Sequence, residues 1–253
     1  MSDKISVIIR SRNEDRWIGH AIQSVLDFIY KPEIIIVDNN SIDETENIVR
    51  HFTQDPLLND KKNKQYTKIK IIKIDNYTPG KALNMGVKKC SNPHLMIISA
   101  HCVLKKLNLK KHIQDLKKYV CVFGNNIPIW NGKKITKRYI WSHFTNKRVV
   151  NMYSEMEKRF FIHNSIAMYD RKYLSKNPFD EHLPGKEDRY WAKMIVDNKL
   201  NYLYEPDHVV EHYYTKNEGT ARWIDDFDYK PLISIIIPTF NSNIEYLEQA
   251  VSS

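Results

Sequence analysis

Four short apolar segments, separated by stretches with helical periodicity, most constrain what this chain can fold into. The segments are residues 6–9, 34–37, 69–74 and 95–98. Short, largely apolar runs are typical of strands that are buried on both faces of a mostly parallel sheet. We therefore expect a sheet in the interior of the molecule, with helices covering its faces.

The stretches between these strands have the spacing of helices. Residues 15–28 place apolar side chains three and four positions apart, which is the pattern of a helix that buries one face. Ser41 and Glu44 have the spacing of a capping box and predict a helix from there through His51. A Thr-Pro-Gly turn precedes a further helix at residues 81–89. The alternation predicts an α/β fold with an open, mostly parallel sheet, whose ligands bind outside the carboxyl ends of the strands.

The end of the chain repeats its beginning. Residues 233–241 (ISIIIPTFN) follow the pattern of residues 5–13 (ISVIIRSRN). We interpret residues 1–228 as one complete module, and residues 229–253 as a linker and the start of a second, related module. On this interpretation the natural polypeptide is longer and has tandem modules. The alternative is a chance match of a common strand–turn–helix pattern.

Composition narrows the class of protein. A hydrophobic content of 42% with 27% charged residues describes a folded chain, and no apolar stretch approaches the ~20 residues that a membrane helix needs. Its formal net charge of +9 would attract a nucleotide diphosphate or an anionic lipid surface. The sequence has no signature of nucleic-acid binding, so we expect no nucleic-acid partner. Three cysteines without a CxxC pair form no disulfide framework, which suits the reducing cytoplasm.

Polar clusters follow the first two predicted strands, as Arg10-Ser-Arg-Asn-Glu14 and Val37-Asp-Asn-Asn-Ser-Ile-Asp-Glu-Thr45. The second cluster resembles the Val-Asp-Asp-Gly-Ser-x-Asp-x-Thr segment of family 2 glycosyltransferases, with an Asn pair in place of Asp-Gly. The resemblance implies the GT-A fold, an open α/β sheet with a Rossmann-like nucleotide-binding half. It also implies that Asp38 accepts a hydrogen bond from the uracil or ribose of a UDP-sugar. The residues that it assigns to the nucleotide-sugar site here are Arg10, Ser11, Arg12, Glu14, Asp38 and Asn40. The alternative is a turn in which Ser41 caps the next helix.

A third cluster, Thr78-Pro-Gly-Lys-Ala-Leu-Asn-Met-Gly86, resembles the Gly-x-x-x-Ala-x-Asn-x-Gly segment of the same family. In relatives the polar residues of this helix start line the nucleotide pocket, which implies a role for Lys81 and Asn84 near the diphosphate or the base. A helix N-terminus with a lysine beside it favours anions. Alternatively, Asn84 serves only to pack the helix against the sheet.

The chain departs from the family after the fourth strand. The family has Asp-x-Asp there, which holds Mg²⁺ or Mn²⁺ on the donor diphosphate, whereas this chain has Ser99-Ala100-His101. Ser99 cannot supply the missing charge, so binding of a hard cation should be weakened. Some GT-A transferases use Asp-x-His with a second histidine near the end of the module, and His212 is the candidate here. An imidazole pair suits Mn²⁺ better than Mg²⁺. The alternative is that no metal binds and that His101, Lys81 or an arginine neutralises the leaving diphosphate.

An acidic pair occurs in the segment Phe179-Asp-Glu-His-Leu-Pro-Gly-Lys-Glu-Asp-Arg-Tyr-Trp191, which resembles the Phe-Asp-Glu-x-Leu...Glu-Asp segment of the family. The resemblance implies that an acidic residue here is the catalytic base of an inverting transfer. We assign Asp188 as the base, with Glu187 as the second choice. The alternative is that both acids only stabilise the start of a helix.

Two weaker features concern the acceptor. His163 and Asn164 lie where the family has a strand that borders the sugar-acceptor cleft, and a structural turn is the alternative. Residues 133–148 mix basic and aromatic side chains, which suits either a mobile loop near the acceptor or contact with a membrane surface or a lipid-linked acceptor.

Together these motifs predict an inverting glycosyltransferase that moves a sugar from a nucleotide diphosphate to a glycan or lipid-linked glycan. The tandem modules suggest bacterial capsule or lipopolysaccharide synthesis, in the cytoplasm or at the inner face of the membrane. A non-catalytic module that binds an acceptor glycan for a downstream domain is the alternative, and the acidic pair argues against it. A sugar nucleotidyltransferase is disfavoured, because no Gly-rich phosphate loop follows the first strand.

Overall fold

The computed structural model describes residues 4–54, 59–60, 65–130, 133–134 and 144–214. Contacts divide the chain into two units, Met1–Arg222 and Trp223–Ser253. The second unit lies outside the described residues, so the predicted second module stays a prediction. Most of the basic, aromatic segment 133–148 also lies outside them.

The strands and helices alternate along the first half of the chain. The strands are β1 Ile5–Ser11, β2 Glu33–Asp38, β3 Asn59–Asp60, β4 Gln65–Tyr66, β5 Lys68–Lys73, β6 His94–Ser99, β7 Cys102–Lys106, β8 Cys121–Trp130, β9 Lys133–Lys134, β10 Val149–Val150, β11 Tyr153–Ser154, β12 Arg159–Phe160, β13 Ile166–Asp170 and β14 Leu203–Tyr213. The helices are α1 Ile18–Phe28, α2 Thr45–Gln54, α3 Pro79–Lys89, α4 Leu109–Asp115, α5 Arg171–Lys176 and α6 Glu187–Asp197. All four strands expected from the apolar segments are confirmed, as β1, β2, β5 and β6.

One large sheet forms the interior, with the strand order β10-β14-β8-β13-β6-β1-β2-β5. Strands β6, β1, β2 and β5 run parallel, and β13 joins β6 in the antiparallel direction. Short β7 and β9 pair with β14 and β8 at the side. The predicted α/β class with a mostly parallel sheet is therefore confirmed.

The apolar pattern of β1 and β2 explains why they lie inside the sheet and not at its edge. Almost all their residues are buried, because helices cover both faces of the sheet. Helix α1 buries Ile18, Ala21, Ile22 and Val25, which lie on one face at helical spacing. Helix α3 comes so close to β1 that a Cβ atom on Gly86 would lie 2.7 Å from Ile8 Cγ2.

The predicted capping box at Ser41 and Glu44 is wrong. Helix α2 begins at Thr45, and the Thr45 amide donates to Asp43 Oδ1 at 3.0 Å. Ser41 does not cap this helix, because its hydroxyl donates to Asp38 Oδ1 at 2.5 Å and accepts from the Asn13 amide at 2.9 Å. The spacing of Ser41 and Glu44 in the sequence could not reveal these bonds, because Asp38 ends β2 and Asn13 follows β1.

Among the described residues, no helix has the length and apolar character needed to cross a membrane.

Candidate functional site

The carboxyl ends of three neighbouring parallel strands form one edge of the sheet. Ser11 of β1 lies beside Asp38 of β2, and Arg10 lies beside Ser99 of β6. The Ser99 amide donates to the Ser165 carbonyl oxygen at 3.2 Å, so the segment that precedes β13 reaches the same edge. Residues from four separate sequence clusters therefore meet here.

Asp38 is the centre of a hydrogen-bond group at the end of β2. Its Oδ1 accepts from Ser11 Oγ at 3.0 Å and from Ser41 Oγ, while its Oδ2 accepts from the Ser41 amide at 2.9 Å. The side chain is 2% exposed. Asn40 adopts the left-handed conformation with φ 50°, and its side-chain Nδ2 donates to the Ile74 carbonyl oxygen. These bonds fix the loop after β2 with a carboxylate at its base.

Glu14, His101 and His212 form a connected buried group beside this edge. Glu14 Oε1 lies 3.0 Å from His101 Nδ1, and His101 Nε2 lies 2.8 Å from His212 Nε2. The two rings stack with centroids 4.7 Å apart. Pairing of β14 with β7 fixes this arrangement, since the Tyr213 amide donates to the His101 carbonyl oxygen. The Glu14 amide in turn donates to Thr45 Oγ1, which holds the start of the group in place.

These residues fit a divalent metal ion through nitrogen rather than oxygen. The two Nε2 atoms face each other, and the carboxylate of Glu14 on Nδ1 of His101 has the position of a second-shell partner that orients a ligating imidazole. Ser99 and Ala100 contribute no carboxylate. Donors of this kind favour Mn²⁺ or a softer ion over Mg²⁺.

Glu187 connects helix α6 to the end of β1. Its Oε1 forms an ion pair with Arg10 Nη1 at 3.1 Å, and the two side chains are 5% and 18% exposed. Burial raises the pKa of Glu187 above its usual value, and the charge of Asp188 adds to this while Arg10 opposes it. Lys186, which precedes the helix, has φ 62° and turns the chain so that the acidic pair opens α6.

Asp188 has a different set of partners. Its Oδ2 accepts from the Asn164 amide at 3.1 Å and from Arg189 Nη1 at 2.8 Å, and its Oδ1 accepts from the Arg189 amide. Arg189 also donates to the Ile162 carbonyl oxygen and lies 4.1 Å from the centroid of the Phe161 ring. Three hydrogen bonds therefore fix the position of the Asp188 carboxylate at the start of α6. The sequence interpretation missed Arg189, although it directly follows the acidic pair.

Asn84 and Lys81 use their polar atoms on the protein itself. Asn84 Oδ1 accepts from the backbone amide of Phe179, and Asn84 Nδ2 donates to the Phe179 carbonyl oxygen. Nδ2 also donates to Glu181 Oε1. These contacts agree best with a packing role for Asn84. Its partner, however, is the segment that leads to α6, whereas the sequence suggested packing against the sheet. Lys81 Nζ donates to the carbonyl oxygens of Asp75 and Asn76 at 2.9 and 3.3 Å.

His163 and Asn164 lie directly before β13, close to the acidic pair. His163 Nδ1 lies 2.5 Å from Ser165 Oγ, and its ring centroid is 6.0 Å from that of His212. Burial lowers the pKa of His163 well below its usual value, and the nearby arginines lower it further, so the ring is neutral. Asn164 Oδ1 accepts from the Tyr169 hydroxyl. Both residues are buried, and the Asn164 amide donates to Asp188 from the β13 side.

Comparison with known proteins agrees with the architecture. The model of "Glycosyl transferase family 2" matches residues 6–177. The glycosyltransferase AglE of Haloferax volcanii is 26% identical over 203 residues, which are 76% of this chain and 61% of the relative. The chain thus spans about three fifths of the length of this curated relative.

Two solved structures share the fold. Residues 1–349 of TarS from S. aureus, crystallised with UDP-GlcNAc, give a TM-score of 0.62 at 19% identity, covering 85% of this chain and 60% of that one. The mannosyltransferase PcManGT from Pyrobaculum calidifontis, with GDP-Man and Mn²⁺, gives 0.59 at 17% identity, covering 85% and 58%.

Proposed function

The chain belongs to glycosyl transferase family 2, and we propose that it transfers a sugar from a UDP-sugar to a hydroxyl group of a glycan, with inversion at the anomeric carbon. One observation carries the proposal. Asp38, the His101–His212 pair and the Glu187–Asp188 pair come together at the carboxyl edge of β1, β2 and β6. This edge is where open α/β sheets bind their ligands.

Asp38 binds the nucleoside in this proposal. Ser11 and Ser41 hold the carboxylate at the end of β2, and Oδ2 keeps capacity for a further donor. A base N–H or a ribose hydroxyl supplies that donor. The relatives TarS and PcManGT hold UDP-GlcNAc and GDP-Man in their structures, which supports a nucleotide-sugar donor in general.

His101 and His212 would hold a divalent ion against the donor diphosphate, with Glu14 orienting the His101 ring. Such an ion neutralises charge on the leaving diphosphate. The metal-free alternative needs cations at the same place. However, Lys81 is bonded to the carbonyl oxygens of Asp75 and Asn76, and Arg10 is paired with Glu187. Because Lys81 and Arg10 already bind protein groups, we favour the metal ion. In the metal-free alternative, the exposed Arg12 would neutralise the diphosphate.

Asp188 accepts the proton of the acceptor hydroxyl as its oxygen bonds to the anomeric carbon and the bond to the diphosphate breaks. Three donors hold this carboxylate in place, and Asn164 links it to the segment that begins with His163. Glu187 is the alternative base, because its raised pKa lies closer to a working pH. In our proposal Glu187 instead positions Arg10 beside the donor.

The acceptor is a glycan or lipid-linked glycan that approaches from the side of His163 and Asn164. Contact with a membrane surface through residues 133–148, a location in the cytoplasm, and a role in capsule or lipopolysaccharide synthesis stay predictions from the sequence.

The test is a binding and turnover screen on the full chain. UDP should raise the melting temperature more than GDP, and Mn²⁺ should increase the effect. UDP-sugars should be turned over when a glycan acceptor is added. Stabilisation by glycans without any nucleotide effect would instead support the non-catalytic acceptor-binding module.

A further inference from the structure

A second group of ionisable side chains lies between helix α4 and strand β14. His112 and Asp115 are on one face of α4, three positions apart, and Glu205 projects from β14. Their ligand atoms lie within 4.8 Å of one another. We call these three residues, together with His208, the α4–β14 cluster. It contains none of the residues of the Glu14–His101–His212 group.

The histidines of this cluster are buried with polar atoms unused. His112 and His208 are both 0% exposed, and their ring centroids are 4.7 Å apart. Within the part of the chain that the structure describes, none of their four ring nitrogens has a hydrogen-bond partner. Burying such groups without partners is costly. Burial lowers the pKa of His112 to about 4, so its ring is neutral and carries a lone pair at neutral pH.

Glu205 is buried and Asp115 is only 15% exposed, while the cations that pair with them are more exposed. Glu205 is 1% exposed, with Lys111 Nζ and Arg148 Nε at 2.7 and 3.1 Å from its Oε2. Arg148 Nη2 lies 2.5 Å from Asp115 Oδ2. Lys111 and Arg148 are 39% and 41% exposed, so both can withdraw into solvent. A doubly charged ion would then balance the two carboxylates.

The backbone of β14 is shaped around this cluster. The register of β14 against β8 shifts between Glu205 and Val209, which is a bulge that contains His208. A Cβ atom on Gly124 would lie 2.1 Å from the His208 carbonyl oxygen, so the glycine is required for the bulge to sit against β8. Bulges re-aim side chains and are frequent next to functional sites.

We propose that His112, Asp115 and Glu205 bind a divalent metal ion, with Zn²⁺ as the best match. One neutral imidazole and two carboxylates give three protein ligands, and a water molecule completes a tetrahedral site. His208 packs against the imidazole and shields the ion from solvent. The ion replaces Lys111 and Arg148 as the partner of the carboxylates. It fastens α4 to β14, the strand that also carries His212.

The experiment uses the full chain, stripped with chelator and titrated with Zn²⁺ against a chromophoric competitor. Asp115→Asn and Glu205→Gln should each weaken binding by about 10- to 100-fold or more. Lys111→Gln should strengthen it, because it removes the competing cation. Asp207→Asn is the matched control, since this exposed acid of the same strand pairs with Lys106 and should leave Zn²⁺ binding unchanged.

A second variant separates this site from the candidate donor site. His101→Asn should keep one bound Zn²⁺ if the α4–β14 cluster holds it, whatever the fate of sugar transfer. Binding that vanishes in His101→Asn but persists in Glu205→Gln would overturn the proposal. So would the absence of Zn²⁺ binding in both wild type and Lys111→Gln, which would leave an ion-pair network only.

Discussion

Replacing Asp188 with asparagine tests the proposed base, because the amide keeps the shape and one acceptor oxygen of the carboxylate. Three hydrogen bonds end on Asp188, from the Asn164 amide and from the amide and guanidinium of Arg189. The amide oxygen can take the place of only one carboxylate oxygen. In the position of Oδ2 it keeps the Asn164 amide, while the NH₂ group in the position of Oδ1 loses the Arg189 amide. The bond from the Arg189 guanidinium to the former Oδ2 position then loses its charge assistance. That bond contributes about 1.5–3 kcal/mol to the free energy of unfolding.

The guanidinium of Arg189 is not left alone in this variant. It keeps the Ile162 carbonyl oxygen at 3.0 Å, Glu157 at 3.7 Å and the ring of Phe161. We therefore expect the free energy of unfolding to fall by no more than about 3 kcal/mol. The transfer rate should fall at least ~100-fold, because no carboxylate accepts the proton. UDP affinity should stay near the wild-type value, since Asp38 lies at another strand end.

Three measurements separate these effects: urea unfolding, calorimetric titration with UDP, and single-turnover transfer to acceptor. The matched variant is Glu187→Gln, which breaks the ion pair with Arg10 at 3.1 Å and leaves Asp188 intact. It should lose far less turnover than Asp188→Asn. The reverse order, with transfer retained in Asp188→Asn and abolished in Glu187→Gln, would refute our assignment and make Glu187 the base. In that case the acid limb of the rate profile would follow the raised pKa of Glu187.

Three further predictions concern donor binding, metal and stability. Asp38→Ala should weaken UDP binding by about 10- to 100-fold in calorimetry. The control Asp43→Ala loosens the same loop and should leave UDP binding unchanged. Equal losses in the two variants would mean that Asp38 only holds the loop. EDTA should lower the turnover of the wild type, and Mn²⁺ should restore it better than Mg²⁺. In His212→Ala, Mn²⁺ should not restore turnover. A wild-type turnover that EDTA leaves unchanged would support metal-free transfer. Burial alone would raise the pKa of Glu33, but bonds from Ser6, Ser91 and Lys68 outweigh burial and lower it from 4.5 to about 2. Glu33→Gln should therefore cost about 3 kcal/mol of unfolding free energy at neutral pH, and the difference should vanish as the pH falls from about 4.5 to 2. A difference that does not depend on pH in urea unfolding would contradict this account.

Local periodicity was enough to predict the first half of the fold. Apolar runs such as residues 34–37 signal strands that are buried on both faces, and the structure extends this one to Glu33–Asp38. The second half gave weaker signals. Strand β14 carries Glu205, His208, Glu211 and His212, so its polar residues hid the longest strand of the sheet among the described residues. Its partners are set by tertiary pairing with β8 and β7, which no local pattern encodes.

The sequence could single out residues of the candidate site where one segment carries its own motif, but not the contacts whose partners come from distant segments. Asp38 and Glu187 were singled out from their neighbours in sequence. The link from Glu14 to His101 joins residues of the first loop and of the turn after β6, so no single motif contains it. The partner of Asp188 was next to it in sequence, but a helix start offers many roles to an arginine.

The presence of Ser99-Ala100-His101 where the family has Asp-x-Asp can be understood together with the contact between His101 and Glu14. An imidazole in place of a carboxylate removes a negative charge that would attract a divalent ion. A negative charge lies behind the His101 ring, because Glu14 Oε1 is 3.0 Å from His101 Nδ1, the nitrogen that faces away from His212. A carboxylate in this position makes the imidazole a stronger ligand and fixes its orientation. If this is the compensation, Glu14→Gln should weaken Mn²⁺-dependent turnover while UDP binding without metal stays unchanged. Equal Mn²⁺ dependence in Glu14→Gln and wild type would mean that Glu14 only supports the fold of the first loop.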